Sequence, residues 1–78
     1  NNLKEKLLKL CEQHKTSTEG INYLTTYYIN SLGWTEEEAI KYTIKLFDNG
    51  TIDEIKIIGG TDEKIINQVI FINHNETK

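Results

Sequence analysis

The spacing of apolar residues along the chain changes at Gly50. Before it they recur at intervals of three and four, as on one face of an α-helix. After it they alternate with charged residues, so that Ile55 and Ile57 share one face of an extended segment. Helices followed by strands predict the α+β class, and 78 residues can support only one modest core. We therefore predict a single domain over residues 1–78, and the lack of an initiating methionine suggests a C-terminal fragment of a longer chain.

The sequence predicts two helices before Gly33, and this glycine is placed to end the second of them. The first begins at Leu3, whose apolar neighbours at helical spacing are Leu7, Leu10 and Cys11. For the second helix we predict an N-cap at Asn22 and an end at Leu32, followed by Gly33.

The third helix has the strongest local signal in the sequence. In Thr35-Glu36-Glu37-Glu38 the Thr35 hydroxyl and the Glu38 carboxylate can exchange hydrogen bonds with each other's backbone, which predicts a capping box. Asn49-Gly50 supplies a left-handed residue at the other end. The apolar stripe of this helix is predicted to contain Ile40, Ile44, Leu46 and Phe47.

After Gly50 the sequence predicts a β-hairpin. Its strands are Thr51–Ile58 and Ile65–Asn73, both rich in β-branched residues, and the loop between them, from Gly59 to Lys64, projects as a polar flap. A short strand near Ile21 could complete the sheet. Three helices followed by a hairpin wing predict a winged helix-turn-helix domain.

One segment of the chain resembles a known family of winged helices. It runs from Glu19-Gly20-Ile21-Asn22-Tyr23, through the second and third helices, to Asp48-Asn49-Gly50-Thr51-Ile52. This segment resembles the C-terminal winged helix of the middle subunit of replication protein A, and the related CST telomere-capping complex has similar domains. The resemblance implies a protein-recognition module, carried in the nucleus on a complex that binds single-stranded DNA. Partners of that family dock near the start of the hairpin, which carries over onto Asp48, Asn49 and Asp53. Asp53 departs from the family pattern, which has an aromatic residue there.

The acidic residues predict where a protein partner would dock. Complementary charge would steer a basic helical segment toward the hairpin and select it among partners. The predicted partner-binding residues are Asp48, Asn49, Asp53, Glu54, Asp62 and Glu63. Two other interpretations stay open: the acidic surface only keeps the domain soluble, or the domain is a wedge between subunits through Leu8 or through Val69 and Phe71.

Direct DNA binding is disfavoured by charge. Residues 34–78 contain nine acids and five lysines, a net charge of −4, and the whole chain, at −3, has no arginine. This charge disfavours duplex binding, because duplex affinity depends on neutralising phosphates. A regulator that reads DNA through the third helix is therefore the alternative function and not the first. It would use Lys41, Tyr42 and Lys45.

The sequence predicts neither catalysis nor a cofactor. Cys11 lies on an apolar stripe and is predicted to be a small core residue, while His14 and His74 lack the ligand spacing of a zinc site. We expect no catalytic residues, no metal and no membrane association. Trp34 is predicted to pack over the start of the third helix. The expected location is nuclear if the resemblance holds and cytoplasmic otherwise, since a single cysteine suits a reducing compartment.

Overall fold

The computed structural model of the protein describes residues 2–58, with side chains through residue 54, together with residue 67. This part of the chain forms four α-helices: α1 (Asn2–Gln13), α2 (Thr18–Leu32), α3 (Glu36–Asp48) and α4 (Thr51–Ile58). The described residues contain no strand. The predicted α+β class is therefore wrong, and so is the winged helix-turn-helix domain with its hairpin wing.

The segment predicted to be the first strand of the wing is α4. Its alternating pattern also satisfies a helix, because Ile52 and Ile55 are three residues apart. Asp53 and Glu54 lie in the first turn, where the positive end of the helix dipole favours carboxylates. Ile52 is completely buried. Burial of this side chain in the helical core outweighs the β-propensity of the isoleucines.

The remainder of the predicted hairpin falls almost wholly outside the described residues. This applies to the loop at 59–64 and to the returning strand at 65–73, apart from Asn67, which is helical.

Helix α2 begins five residues earlier than predicted. Ser17, not Asn22, is the N-cap, and its hydroxyl accepts a hydrogen bond from the Gly20 backbone N–H at 3.2 Å. Gly20 lies inside the helix. Ile21 is also helical and buried, so the short strand predicted near it is wrong.

The end of α1 is closed by a Schellman motif with a lysine in the left-handed position. Lys15 has φ 55°, unusual for a residue with a side chain beyond Cβ. The Thr16 N–H donates to the Cys11 carbonyl at 2.9 Å and the Lys15 N–H donates to the Glu12 carbonyl at 3.3 Å. These bonds turn the chain from α1 into α2.

Helix α3 lies at the centre of the fold and contacts each of the other three helices. The predicted capping box is confirmed: the Thr35 N–H donates to Glu38 Oε1 at 2.9 Å, and the Glu38 N–H donates to Thr35 Oγ1 at 3.1 Å. Gly33 ends α2 with φ 76°, as predicted. All four helices contribute to the core, which contains Leu7, Cys11, Ile21, Leu24, Tyr28, Ala39, Ile40, Ile44, Leu46, Phe47 and Ile52.

Candidate functional site

The candidate site is the connection between α3 and α4, residues 48–54, which we call the acidic turn. Asn49 and Gly50 alone separate the two helices. The Asn49 side-chain oxygen accepts from the Thr51 N–H at 3.0 Å and from the Thr51 hydroxyl at 2.6 Å. Gly50 has φ 80°, and its N–H donates to the Phe47 carbonyl at 3.2 Å. The turn is thus held by side-chain and backbone hydrogen bonds on both sides of Gly50.

Four of the six residues predicted to bind a partner lie on the acidic turn. Asp48, Asn49 and Glu54 are exposed, and Asp53 is half-buried. Asp62 and Glu63 lie outside the described residues. Asn49 has a structural task here, since its amide oxygen caps α4. Asp48 and Glu54 are the two exposed acidic residues of the acidic turn.

Asp53 has a partner that the sequence analysis missed. Its carboxylate accepts from His14 Nδ1, at 2.8 Å to Oδ2 and 3.0 Å to Oδ1. Because a carboxylate can only accept, Nδ1 carries a proton in this contact. The imidazole also packs on Phe47, with ring centroids 5.0 Å apart. The residues are 39 positions apart, so no local pattern could have paired them.

The contact with His14 gives the Asp53 carboxylate a structural role within the fold. The Asp53 side chain keeps 44% of its exposure and that of His14 keeps 25%, so the pair sits at the edge of the core. It joins the end of α1 to the first turn of α4. Asp53 therefore positions the acidic turn as well as adding charge to it.

The residues predicted to read DNA do not form a free basic face on α3. Lys41 Nζ lies 3.2 Å from Glu37 Oε2, a solvent-exposed i,i+4 ion pair. Tyr42 is half-buried, and its ring packs edge-on against Tyr28 at 5.5 Å. Lys45 is exposed near the end of α3, three residues before Asp48.

Tyr42 instead belongs to an aromatic cluster with Tyr28 and Trp34. Tyr28 is completely buried and stacks on Trp34 with centroids 4.7 Å apart and planes 20° apart. Trp34 meets Tyr42 edge-on at 5.3 Å. Such ring geometries contribute beyond the area that they bury. Trp34 therefore packs over the α2–α3 junction as predicted, and Tyr28 is the inward-facing member of its adjacent tyrosine pair.

Cys11 is a core residue, as predicted. Its thiol is buried, and burial raises the pKa of Cys11 because the thiolate would lose its hydration, against a smaller lowering by a backbone hydrogen bond. The part of the chain that the structure describes has no group of three or more His, Cys, Asp or Glu able to hold a metal ion.

A small pocket lies between the start of α1 and the start of α3. It measures about 50 Å³, room for a few water molecules, and is lined by Leu3, Lys4, Glu36, Glu37 and Ile40.

No family model matches the chain, and neither curated proteins nor solved structures include a significant match. Among the described helices, none is both long and apolar enough to cross a membrane.

Proposed function

We propose that this domain is a non-catalytic protein-binding module whose acidic turn binds a basic helical segment. The observation that carries the proposal is the exposed carboxylate of Asp48 at the C-terminal end of α3. The negative end of the helix dipole repels a carboxylate there, at a cost of about 0.3–1 kcal/mol. Among the described residues, neither ion pair includes Asp48. A residue that breaks a local preference without such compensation is a candidate for function.

The surroundings of Asp48 increase its suitability for a basic partner. The acidic turn, residues 48–54, contains three carboxylates and no lysine, and the flanking lysines are Lys45 and Lys56. Asp48 and Glu54 are attached to the ends of two helices whose connection is fixed by Asn49, so their charges are held in place before binding. Complementary charges on such a surface mainly raise the association rate and select the partner, while apolar contacts slow dissociation.

Membership of a single-stranded-DNA-binding complex remains a prediction from the resemblance. The winged-helix fold implied by that resemblance is wrong for the described residues. The proposed docking at the acidic turn depends on charge and helix geometry alone.

Binding can be tested by NMR titration of the isotope-labelled protein at low salt. The probe is an amphipathic helical peptide of leucine and lysine, and the same peptide with glutamate for lysine is its control. We expect amide shifts at residues 48–54 with the lysine peptide alone. Shifts of equal size with both peptides, or shifts that spare the acidic turn, would contradict the proposal.

A matched pair of variants separates the local site from overall charge. Asp48→Asn with Glu54→Gln removes two charges at the acidic turn, and Glu36→Gln with Glu37→Gln removes two at the other end of α3, about 18 Å away. This comparison is made at about 0.1 M salt, where the separation approaches two screening lengths. We expect only the first pair to weaken lysine-peptide binding, by about two- to tenfold. Equal losses would show that net charge, not this turn, drives binding.

Duplex DNA in the same titration tests the alternative function. DNA binding through α3 predicts amide shifts near Lys41 and Lys45, and loss of binding in Lys41→Glu and Lys45→Glu. These results, together with no response to the lysine peptide, would replace the docking proposal.

A further inference from the structure

We infer that Asn49 is a site of spontaneous deamidation that the fold protects. Asn49-Gly50 is the only Asn-Gly pair in the sequence, and the Asn49 side chain is exposed to water. Asparagine before glycine is the dipeptide most prone to this reaction, because glycine has no side chain to obstruct attack by its own backbone nitrogen. The inference does not depend on the proposed function.

The reaction needs only the chain and water. The Gly50 backbone nitrogen attacks the side-chain carbonyl carbon of Asn49, forming a carbon–nitrogen bond and closing a succinimide ring. The nitrogen loses its proton, and the side-chain amide leaves as ammonia. Water then opens the ring at one of its two carbonyls, which gives either an aspartyl or an isoaspartyl residue. No oxidation or reduction takes place.

The native turn restrains both reacting groups. The Gly50 N–H, which must lose its proton, donates to the Phe47 carbonyl at 3.2 Å. The side-chain oxygen of Asn49, Oδ1, accepts hydrogen bonds from the Thr51 N–H at 3.0 Å and from the Thr51 hydroxyl at 2.6 Å. For the ring to close, the bond to Phe47 must break and the amide must rotate away from Thr51. The native rate is then the rate in the unfolded chain multiplied by the fraction of molecules in which the turn is open.

The Thr51 donors could also act in the opposite direction. Donors at an oxygen that gains negative charge stabilise the transition state, as in an oxyanion hole. That stabilisation helps only when the Gly50 nitrogen is free to attack, and in this turn its proton is bound to Phe47. Restraint therefore dominates, and removing the Thr51 hydroxyl should accelerate the reaction.

Deamidation would alter the acidic turn in two ways. A new carboxylate beside Asp48 raises the acid count from 12 to 13 and changes the net charge from −3 to −4. An isoaspartyl residue also routes the main chain through the former side chain, which adds a methylene group between α3 and α4. The bond from Gly50 to Phe47 would lose its register. The fraction of deamidated Asn49 would therefore increase with the time that the acidic turn has spent in its open conformation.

The sequence offers a clean peptide assay for this site. Trypsin cleavage after Lys45 and Lys56 releases residues 46–56, in which Asn49 is the sole side-chain amide. Its conversion to acid is followed by mass spectrometry, and isoaspartate by enzymatic methylation. The tryptic peptide of residues 16–41 contains Asn30 before serine, within α2, as an internal control.

The rates are compared in the native protein and in denaturant at mildly alkaline pH. We expect Asn49 to react at least about tenfold faster in denaturant than in the native protein. Native Thr51→Val should react faster than the wild type, and Thr51→Ser, which keeps the hydroxyl, should stay close to it. Circular dichroism checks that the variants fold.

Two results would overturn the inference: equal wild-type rates in both conditions, or slower native reaction in Thr51→Val. If Thr51→Val does not fold, a denaturant series on the wild type decides. The rate should then follow the open fraction, and a rate independent of denaturant would refute protection.

Discussion

Replacing Lys15 with glycine should stabilise the protein, although it deletes a side chain. Lys15 has φ 55° at the left-handed position of the Schellman motif that ends α1. In this region an L-residue's Cβ crowds the following carbonyl, at a cost of about 1–2 kcal/mol. Glycine has no Cβ and fits both hydrogen bonds of the motif, from the N–H groups of Lys15 and Thr16.

The expected gain is the relief of that strain less the entropy that glycine adds to the unfolded chain. The entropy term is about 0.4–1 kcal/mol. Strain relief less this entropy term is about 0.5–1 kcal/mol. Loss of the lysine charge near the negative end of α1 acts the other way, by about 0.3 kcal/mol. The net gain in the free energy of unfolding is then about 0.2–0.7 kcal/mol, or about 1–5 °C in melting temperature for a domain of this size.

Thermal unfolding followed by far-UV circular dichroism measures this gain. Lys9→Gly is the matched control, because it makes the same change at an exposed position inside α1 and should cost about 1 kcal/mol. Lys15→Ala removes the charge but keeps a Cβ, and should not stabilise. If Lys15→Gly lowers the melting temperature as Lys9→Gly does, the strain argument is wrong.

Four further perturbations test the capping box and the core. Thr35→Ala should cost about 1 kcal/mol of stability in urea unfolding. Hydrogen bonds from the Thr35 backbone and side chain lower the pKa of Glu38. The contribution of Glu38 to the free energy of unfolding should therefore be complete above the ordinary pKa range of a glutamate, and be lost as pH falls through the lowered pKa. Glu38→Gln should keep the cap and weaken this dependence of stability on acid pH, and an unchanged pH dependence would contradict the assignment. Because burial raises the pKa of Cys11, its alkylation should be slow in the native protein and fast in urea, and rapid native labelling would place the thiol outside the core. Ile52→Ala should cost about 2–5 kcal/mol in urea unfolding, and a loss below about 1 kcal/mol would contradict its burial in the core.

The sequence correctly predicted those helix ends that depend on interactions between residues close together in the chain. The capping box at Thr35 and the left-handed glycines at 33 and 50 depend on a few neighbouring residues, and the structure confirms them. The sequence predicts an N-cap at Asn22, because an asparagine side chain can satisfy a backbone N–H in the first turn of a helix. Ser17 overrides that signal by capping the helix before the glycine, and a serine three residues before Gly20 was visible in the sequence.

The prediction failed where contacts distant in sequence decide the structure. Thr51–Ile58 has both strand-like alternation and helical spacing, so its local pattern cannot choose between them. Burial of Ile52 and the contact between His14 and Asp53 join this segment to α1 and α3 as a helix. The same contact gives Asp53 a positioning role, which charge counting alone could not reveal. Asp48 and Glu54 are exposed, but Glu54 lies on a helix and not on the predicted strand.

The aromatic cluster gives the domain its own optical reporter. Trp34 is the only tryptophan, and two tyrosine rings lie within 5.3 Å of it, those of Tyr28 and Tyr42. Because tyrosine emission overlaps indole absorption, energy absorbed by these phenols passes to Trp34 while the rings are together. Recovery of tyrosine fluorescence would therefore signal separation of α2 from α3. The rate at which the α2–α3 junction opens can therefore be measured separately from opening of the acidic turn at the other end of α3, without an attached dye.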